Sequence, residues 1–262
     1  MNLLQAILLG AVQGVSVFAP ISASGHLAIA YKLLGAIQHD AWFSVFLQLG
    51  ALIAVLLFER NELATLLHPR KGDSYPDSRR LLWFLVIASL PLALYPLLRN
   101  LLDGLYTNLV VVALALAANG LILFVSDRGA GDKDVRAMTL PDALIIGAGQ
   151  LLSVIPGISG IGMTHSAGQF RDLDRALALR FSILLTIPAL LVSLLLSLFG
   201  AIGSPIIWKN LPIDLAAMAA AGLFGFGAIR LLHSIAKRGG FEGFAYYCWG
   251  ASAVTLFLAL IS

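Results

Sequence analysis

The sequence predicts an all-α integral membrane protein with six transmembrane helices plus two re-entrant helical hairpins, arranged as an inverted-topology repeat. Three observations predict it. Hydrophobic residues make up 59% of the 262-residue chain and charged residues only 12%, with a mean hydropathy of +0.91, far from the composition of a soluble domain. Six apolar stretches reach the roughly 20 residues that a helix needs to cross a bilayer core. Two further apolar segments are broken near their middles, and they repeat one another.

The first broken segment, 3–35, is interrupted by Ala19-Pro20-Ile21-Ser22-Ala23-Ser24-Gly25. Proline removes a backbone donor and clashes with the preceding turn, so each half is too short to cross comfortably and the segment reads as a hairpin that enters and leaves by one face. Three spans follow, at 41–58, 81–99 and 107–126, completing a first repeat over 1–126. A linker at 127–140 leads to the second broken segment, 141–170, interrupted by Ile155-Pro156-Gly157-Ile158-Ser159-Gly160. Spans at 176–200, 211–235 and 243–262 complete the second repeat over 141–262. A kinked but complete span is the alternative reading of either broken segment.

A shift of 137 places Ala6, Gly10, Ala11, Gln13, Ser16, Val17, Ile21, Ser22 and Gly25 on identical residues, from Ala143 through Gln150 and Ser159 to Gly162. The match resumes one residue later, with Phe43-Ser44 on Phe181-Ser182 and Ala51-Leu52 on Ala189-Leu190. Shared Gln and Ser are not explained by apolar bias, so the halves read as a duplication. A hairpin returns the chain to its starting side and three spans follow, so the second copy starts from the opposite side and is inverted. All but three of the lysines and arginines, Arg70 and Lys71 among them, then fall on one side; Lys32, Arg99 and Lys209 fall on the other. The rich side is cytoplasmic, which puts both termini outside, periplasmic or extracellular.

The pI of about 9.2 reflects these scattered loop cations, with no compact patch for nucleic acid. The single cysteine, Cys248, excludes a disulfide framework and a thiolate metal cluster. The N-terminus lacks a basic leader pattern and reads as mature protein. The segment Arg60 to Arg80, with His68-Pro69-Arg70-Lys71-Gly72-Asp73, reads as a polar loop, and Gly129-Ala130-Gly131-Asp132-Lys133 as linker; Arg171, Asp172, Asp174 and Arg175 read as a solvated surface cluster.

Inverted repeats with interrupted helices place their site near the bilayer midplane, where unwound backbone and half-helix N-termini face a polar cavity. The two breaks supply Ser22, Ser24 and His26 from the first copy and Ser159, Thr164 and His165 from the second. Hydroxyls and free amides at helix N-termini favour anions. Capping of the half-helices is the alternative for the Ser and Thr residues. An imidazole can bind phosphate or pass protons, or simply pack with its nitrogens bonded. Gln13 and Gln150, equivalent under the repeat, together with Gln48, either line the same cavity or tie helices together.

At the breaks the chain resembles the undecaprenyl-pyrophosphate phosphatase (bacitracin-resistance) family. Residues Val12 to Leu27 are similar to its EGxTEFLPxSSxGHL motif, Pro156 to Thr164 to its PGxSRSGxT motif, and Phe181 to Pro188 to a third typical stretch. The resemblance covers nearly the whole chain. It implies a bacterial plasma-membrane enzyme that hydrolyses undecaprenyl pyrophosphate to the monophosphate on the outer side, in lipid-carrier recycling for peptidoglycan synthesis. It also implies a divalent metal, Mg or Ca.

Ser22, Gly25, His26, Ser159, Gly162 and Thr164 match the motifs, whereas Gln13 and Val17 stand at two glutamates, Ala23 at a serine, and Gly160 and Ile161 at the Arg-Ser pair. Loss of the carboxylates removes the natural ligands of a hard cation, and loss of the arginine removes a phosphoryl clamp. Two functions follow as expectations. One is altered phosphatase chemistry, with His26 as nucleophile or base, His165 as acid, and Ser24 assisting; Ser22, Gly25, Ser159, Gly162, Thr164, Gln13 and Gln150 would hold the lipid headgroup. The other is a non-catalytic polyprenyl-phosphate transporter or flippase. The expected partners are a polyprenyl phosphate or pyrophosphate lipid and the bilayer, with a homodimer left open.

Overall fold

The computed structural model describes all residues except 37–40, 69–74, 130, 206–207, 239 and 262. Arg70 and Lys71, with the rest of the Pro69 to Asp73 stretch, lie outside the described residues, as does Ala130 of the glycine-rich run. The described chain is helical, with one isolated bridge between Lys133 and Leu173. The helices are α1 (Leu3–Phe18), α2 (Ala23–Leu33), α3 (Ala41–Phe58), α4 (Arg60–Leu67), α5 (Tyr75–Ser89), α6 (Tyr95–Leu101), α7 (Leu109–Ser126), α8 (Leu140–Leu152), α9 (Gly160–Phe170), α10 (Arg175–Ala201), α11 (Leu211–Arg238) and α12 (Glu242–Leu260).

Among the described residues, six helical stretches are long and apolar enough to cross a membrane: Ala41–Phe58, Asp77–Arg99, Leu109–Ser126, Arg175–Ala201, Leu211–Ala236 and Glu242–Leu260. Large apolar side chains on their outer faces, such as Leu223 and Phe257, are exposed, as lipid-facing positions are. The second of these stretches is composite. Pro91 and Pro96 lack amide hydrogens, and the backbone between α5 and α6 tightens into a 3-10 turn at Leu90–Leu94. The expected loop at 60–80 is partly helical, because Leu66 on α4 is buried and Glu62 pairs with Arg180 on α10.

Helices pack at small residues, since lipid offers no hydrophobic drive and close approach must supply dispersion contact instead. A Cβ on Gly10 of α1 would lie 2.3 Å from the Ala217 carbonyl oxygen on α11, and one on Gly147 of α8 would lie 2.3 Å from the Ala88 carbonyl oxygen on α5. These two glycines are partners under the 137-residue shift. Further along, α12 packs on α7, with Ser252 donating to the Ala113 carbonyl at 2.7 Å and Trp249 to that of Ala117 at 3.2 Å.

The charged turn after α9 is more than a solvated surface. The Asp142 carboxylate is fully buried and accepts from Arg171 at 2.7 Å, with Lys133 at 3.8 Å. Asp142 also accepts from Thr139 to close a capping box at the start of α8. The Lys133 backbone exchanges bonds with Asp172 and Asp174. The linker is thereby pinned against the α9–α10 junction, because a buried carboxylate needs partners on every side.

Candidate functional site

Both broken segments turn at their motifs, and the two turns meet. Helix α1 ends at Ala19, and Ser22, at φ +76°, caps α2 by accepting from the Gly25 amide at 3.3 Å. Ser159 caps α9 in the same way, accepting from the Gly162 amide at 3.1 Å. Each serine also reaches the other turn: the Gly157 amide donates to Ser22 Oγ at 3.1 Å, and Ser159 Oγ donates to the Ala19 carbonyl at 3.4 Å. Gly157 has φ +105°, and a Cβ there would lie 2.6 Å from that of Ala115, so no larger residue fits the turn.

Asn119 on α7 joins the turns. Its Oδ1 accepts from the Ser159 amide at 2.9 Å, and its Nδ2 donates to the Pro20 carbonyl at 3.0 Å. This residue escaped the sequence reading. Its signal was a lone amide at the centre of an apolar span, a position where polar groups are rarely idle.

Beside the joined turns lies a cavity of about 1140 Å³. Gln13 and Ser16 from α1, Ser24 from α2, Ser44 and Gln48 from α3, Gln150 and Ser153 from the α8 end, and Thr186 from α10 contribute to its wall. Gln13 Nε2 donates to Gln48 Oε1 at 3.3 Å, so the two glutamines both tie helices and line the cavity. Val17, Ala23, Gly160 and Ile161 line it as well. The five positions at which the chain lacks a charged or hydroxyl residue of the motifs, Gln13, Val17, Ala23, Gly160 and Ile161, therefore line one space. The wall also includes Lys32 and Arg99, two of the three cations expected on the outer side, and the Arg99 guanidinium sits 3.8 Å over the Tyr106 ring.

Of the expected site residues, Gln13, Gln150 and Ser24 contribute to this wall. Ser22, Gly25, Ser159 and Gly162 build the turns themselves, and Thr164 bonds back to the Gly160 carbonyl at 2.9 Å. The histidines lie outside the wall and do not share a space. His26 Nδ1 donates to the Ser22 carbonyl at 2.8 Å, and Nε2 then accepts from the Tyr247 hydroxyl at 2.8 Å. His165 is buried with its ring 4.3 Å from that of Phe241.

A divalent metal does not fit this wall. It offers amide and hydroxyl oxygens and two cations, with no carboxylate among the described residues, and neutral oxygens alone compete poorly with water for a hard cation. No group of three His, Cys, Asp or Glu able to hold a metal occurs among the described residues.

Six helices long and apolar enough to cross a membrane among the described residues define a multi-pass helical membrane protein. Within that class the chain belongs to the bacitracin-resistance, or undecaprenyl-diphosphatase, family: the family model "Bacitracin resistance protein BacA" matches residues 6–254. It is similar to proteins named undecaprenyl-diphosphatase from Methanobrevibacter smithii, at 35% identity over 95% of both chains, and from Desulfosudis oleivorans, at 34% over 99% of this chain and all of the relative. A third, from Syntrophotalea carbinolica, is 35% identical over 95% of this chain and 96% of its own.

Proposed function

We propose that this chain binds the headgroup of a polyprenyl phosphate or pyrophosphate lipid in the cavity beside the joined turns, and that its catalytic site is degenerate. One observation carries the reading: Gln13, Val17, Ala23, Gly160 and Ile161, the positions where this chain lacks a charged or hydroxyl group of the motifs, all line the same cavity. A family site is thus retained as a space while its reactive groups are replaced. Gln13, Gln150 and Ser24 contact the headgroup. Ser22, Gly25, Ser159, Gly162 and Thr164 hold the turns that position them.

Hydrolysis on this site needs a nucleophile or base at the phosphoryl group. His26 has both nitrogens engaged and His165 packs on Phe241, which favours binding over turnover. Purified protein given farnesyl or undecaprenyl pyrophosphate, with and without Mg²⁺ or Ca²⁺, is expected to bind lipid and release no phosphate. Phosphate release abolished by His26→Ala would overturn the degenerate site.

A second reading, movement of the lipid between leaflets, is supported by the matched halves. Gly10 and Gly147 make equivalent close approaches, and Ser22 and Ser159 cap equivalent helices. In this reading the helix pairs 3–35 and 141–170 are re-entrant, the repeats 1–126 and 141–262 are inverted, and Lys32 and Arg99 face outward with both termini. Proteoliposomes loaded with a fluorescent prenyl phosphate test it by protein-dependent exchange between leaflets.

A further inference from the structure

We infer that Arg99, on α6, holds the phosphate of the cavity's ligand, with the exposed Lys32 drawing the anion in. The inference rests on the reading above, that the cavity receives a prenyl phosphate or pyrophosphate, and adds the residues that meet its charge. Among the described residues of the wall, Arg99 and Lys32 are the only charged side chains. The amides and hydroxyls around them can bond a phosphate but cannot neutralise it. A wall with cations and no carboxylate carries a positive potential, which an apolar surround strengthens.

The two cations differ in how they are held. The Arg99 guanidinium sits 3.8 Å over the Tyr106 ring, and the Tyr106 hydroxyl donates to the Val154 carbonyl at 2.6 Å. Val154 stands two residues before Pro156, so the ring beneath Arg99 is anchored to the second broken segment. Tyr106 belongs to the 3-10 turn at Asp103–Thr107, which packs against both α6 and α2. That turn brings Arg99 and the last turn of α2, where Lys32 lies, to the same part of the wall.

A guanidinium is planar and carries its five N–H donors along its edge, so a ring that supports its face leaves the edge for phosphate oxygens. Arg99 is also half-buried, whereas Lys32 is exposed. Partial burial strengthens a charge-assisted bond to phosphate. An exposed lysine keeps much of its hydration and contributes chiefly to attraction from a distance. Gly160, at the start of α9, lines the cavity without a side chain, so the charge comes from α6 and α2 and not from the second turn itself.

The test titrates the full chain in nanodiscs with farnesyl phosphate, farnesol and inorganic phosphate. Farnesyl phosphate is expected to bind about tenfold more tightly than farnesol, and Arg99→Gln to cancel that preference while binding farnesol as before. Lys32→Gln should weaken farnesyl phosphate about threefold, more at low salt than at high. Lys209→Gln, exposed and outside the wall, should change nothing. On the unaltered chain, modification of Arg99 by phenylglyoxal, read by peptide mass spectrometry, should be slowed by farnesyl phosphate and not by farnesol. Equal rates overturn the inference, whether or not a variant folds. If Arg99→Gln keeps the full preference for farnesyl phosphate, the lipid reading stands and the inference alone falls. If inorganic phosphate binds as tightly as farnesyl phosphate and is lost in Arg99→Gln, Arg99 is a site for the free ion and the lipid reading falls instead. If no phosphate compound binds, both fall.

Discussion

Helices α2 and α9 are partners under the repeat, are both eleven residues long and are both capped by a motif serine, yet they sit in opposite surroundings. Gly25 is the only buried residue of α2, whereas α9 buries eight, among them Thr164, His165, Ser166 and Gln169. Ser24, Leu27, Ala28, Tyr31 and Lys32 of α2 line the cavity. Of their counterparts, Ile161 lines the same cavity but is buried, and Thr164, His165, Gly168 and Gln169 are packed away from it; Ser166 is bonded to Ser126 on α7 at 2.8 Å. Two copies of one motif thus share a cap geometry without sharing an environment. The backbone turn is a local property of the repeat, while access to water depends on which neighbours each copy meets.

The largest effects should come from the paired glycines. Gly10→Leu and Gly147→Leu are each expected to cost about 3 kcal/mol or more, because the new side chain meets backbone rather than a movable side chain; thermal unfolding in detergent measures it. If only one is severe, the halves are not mechanically equivalent.

Next is Asn119→Leu, which leaves the Ser159 amide without a partner in a buried place and the Pro20 carbonyl with only the weak Cys248 thiol donor at 3.8 Å. The expected cost is about 2–4 kcal/mol, seen as a lowered unfolding midpoint. No change would mean that the turns hold together without α7.

Smaller and unequal losses are expected at the caps: about 2 kcal/mol for Ser22→Ala, whose oxygen accepts two amides, and about 1 kcal/mol for Ser159→Ala, whose oxygen accepts one. The reverse order would show that the second amide on Ser22, from Gly157, adds little.

The smallest effect on stability, below about 0.5 kcal/mol, is expected for Ser24→Cys, and it sharpens the comparison most. A water-soluble maleimide should label this cysteine and spare Ser166→Cys, with little background from the buried Cys248. Equal labelling of both would show that α9 also faces a water-filled space.

Much of the fold was legible in the sequence. The spans expected at 41–58, 107–126 and 176–200 agree with the helices within about two residues, because hydropathy and length are set by the bilayer. The breaks at Pro20 and Pro156 were legible because proline acts through its own backbone. Capping was the alternative reading of Ser22 and Ser159, and both serines cap their helices; the pairing of Gln13 with Gln150 was readable from the 137-residue match, whereas Gln48 has no partner in it. The placement of His26 was not: it adjoins Gly25 and Leu27 in sequence, but one step along a helix turns a side chain by about 100°, and it faces Tyr247 on α12 rather than the cavity.

The sequence by itself determined the stretches long and apolar enough to cross a membrane, the residue identities under the 137-residue shift and the positions of both turns, since each of these is written in local composition and backbone chemistry. Only the tertiary structure decided that the turns touch through Asn119, and that Gln13, Val17, Ala23, Gly160 and Ile161 share one cavity. Those facts depend on the rotation of each helix about its axis, and that rotation is set by the packing of glycine and alanine against distant backbone.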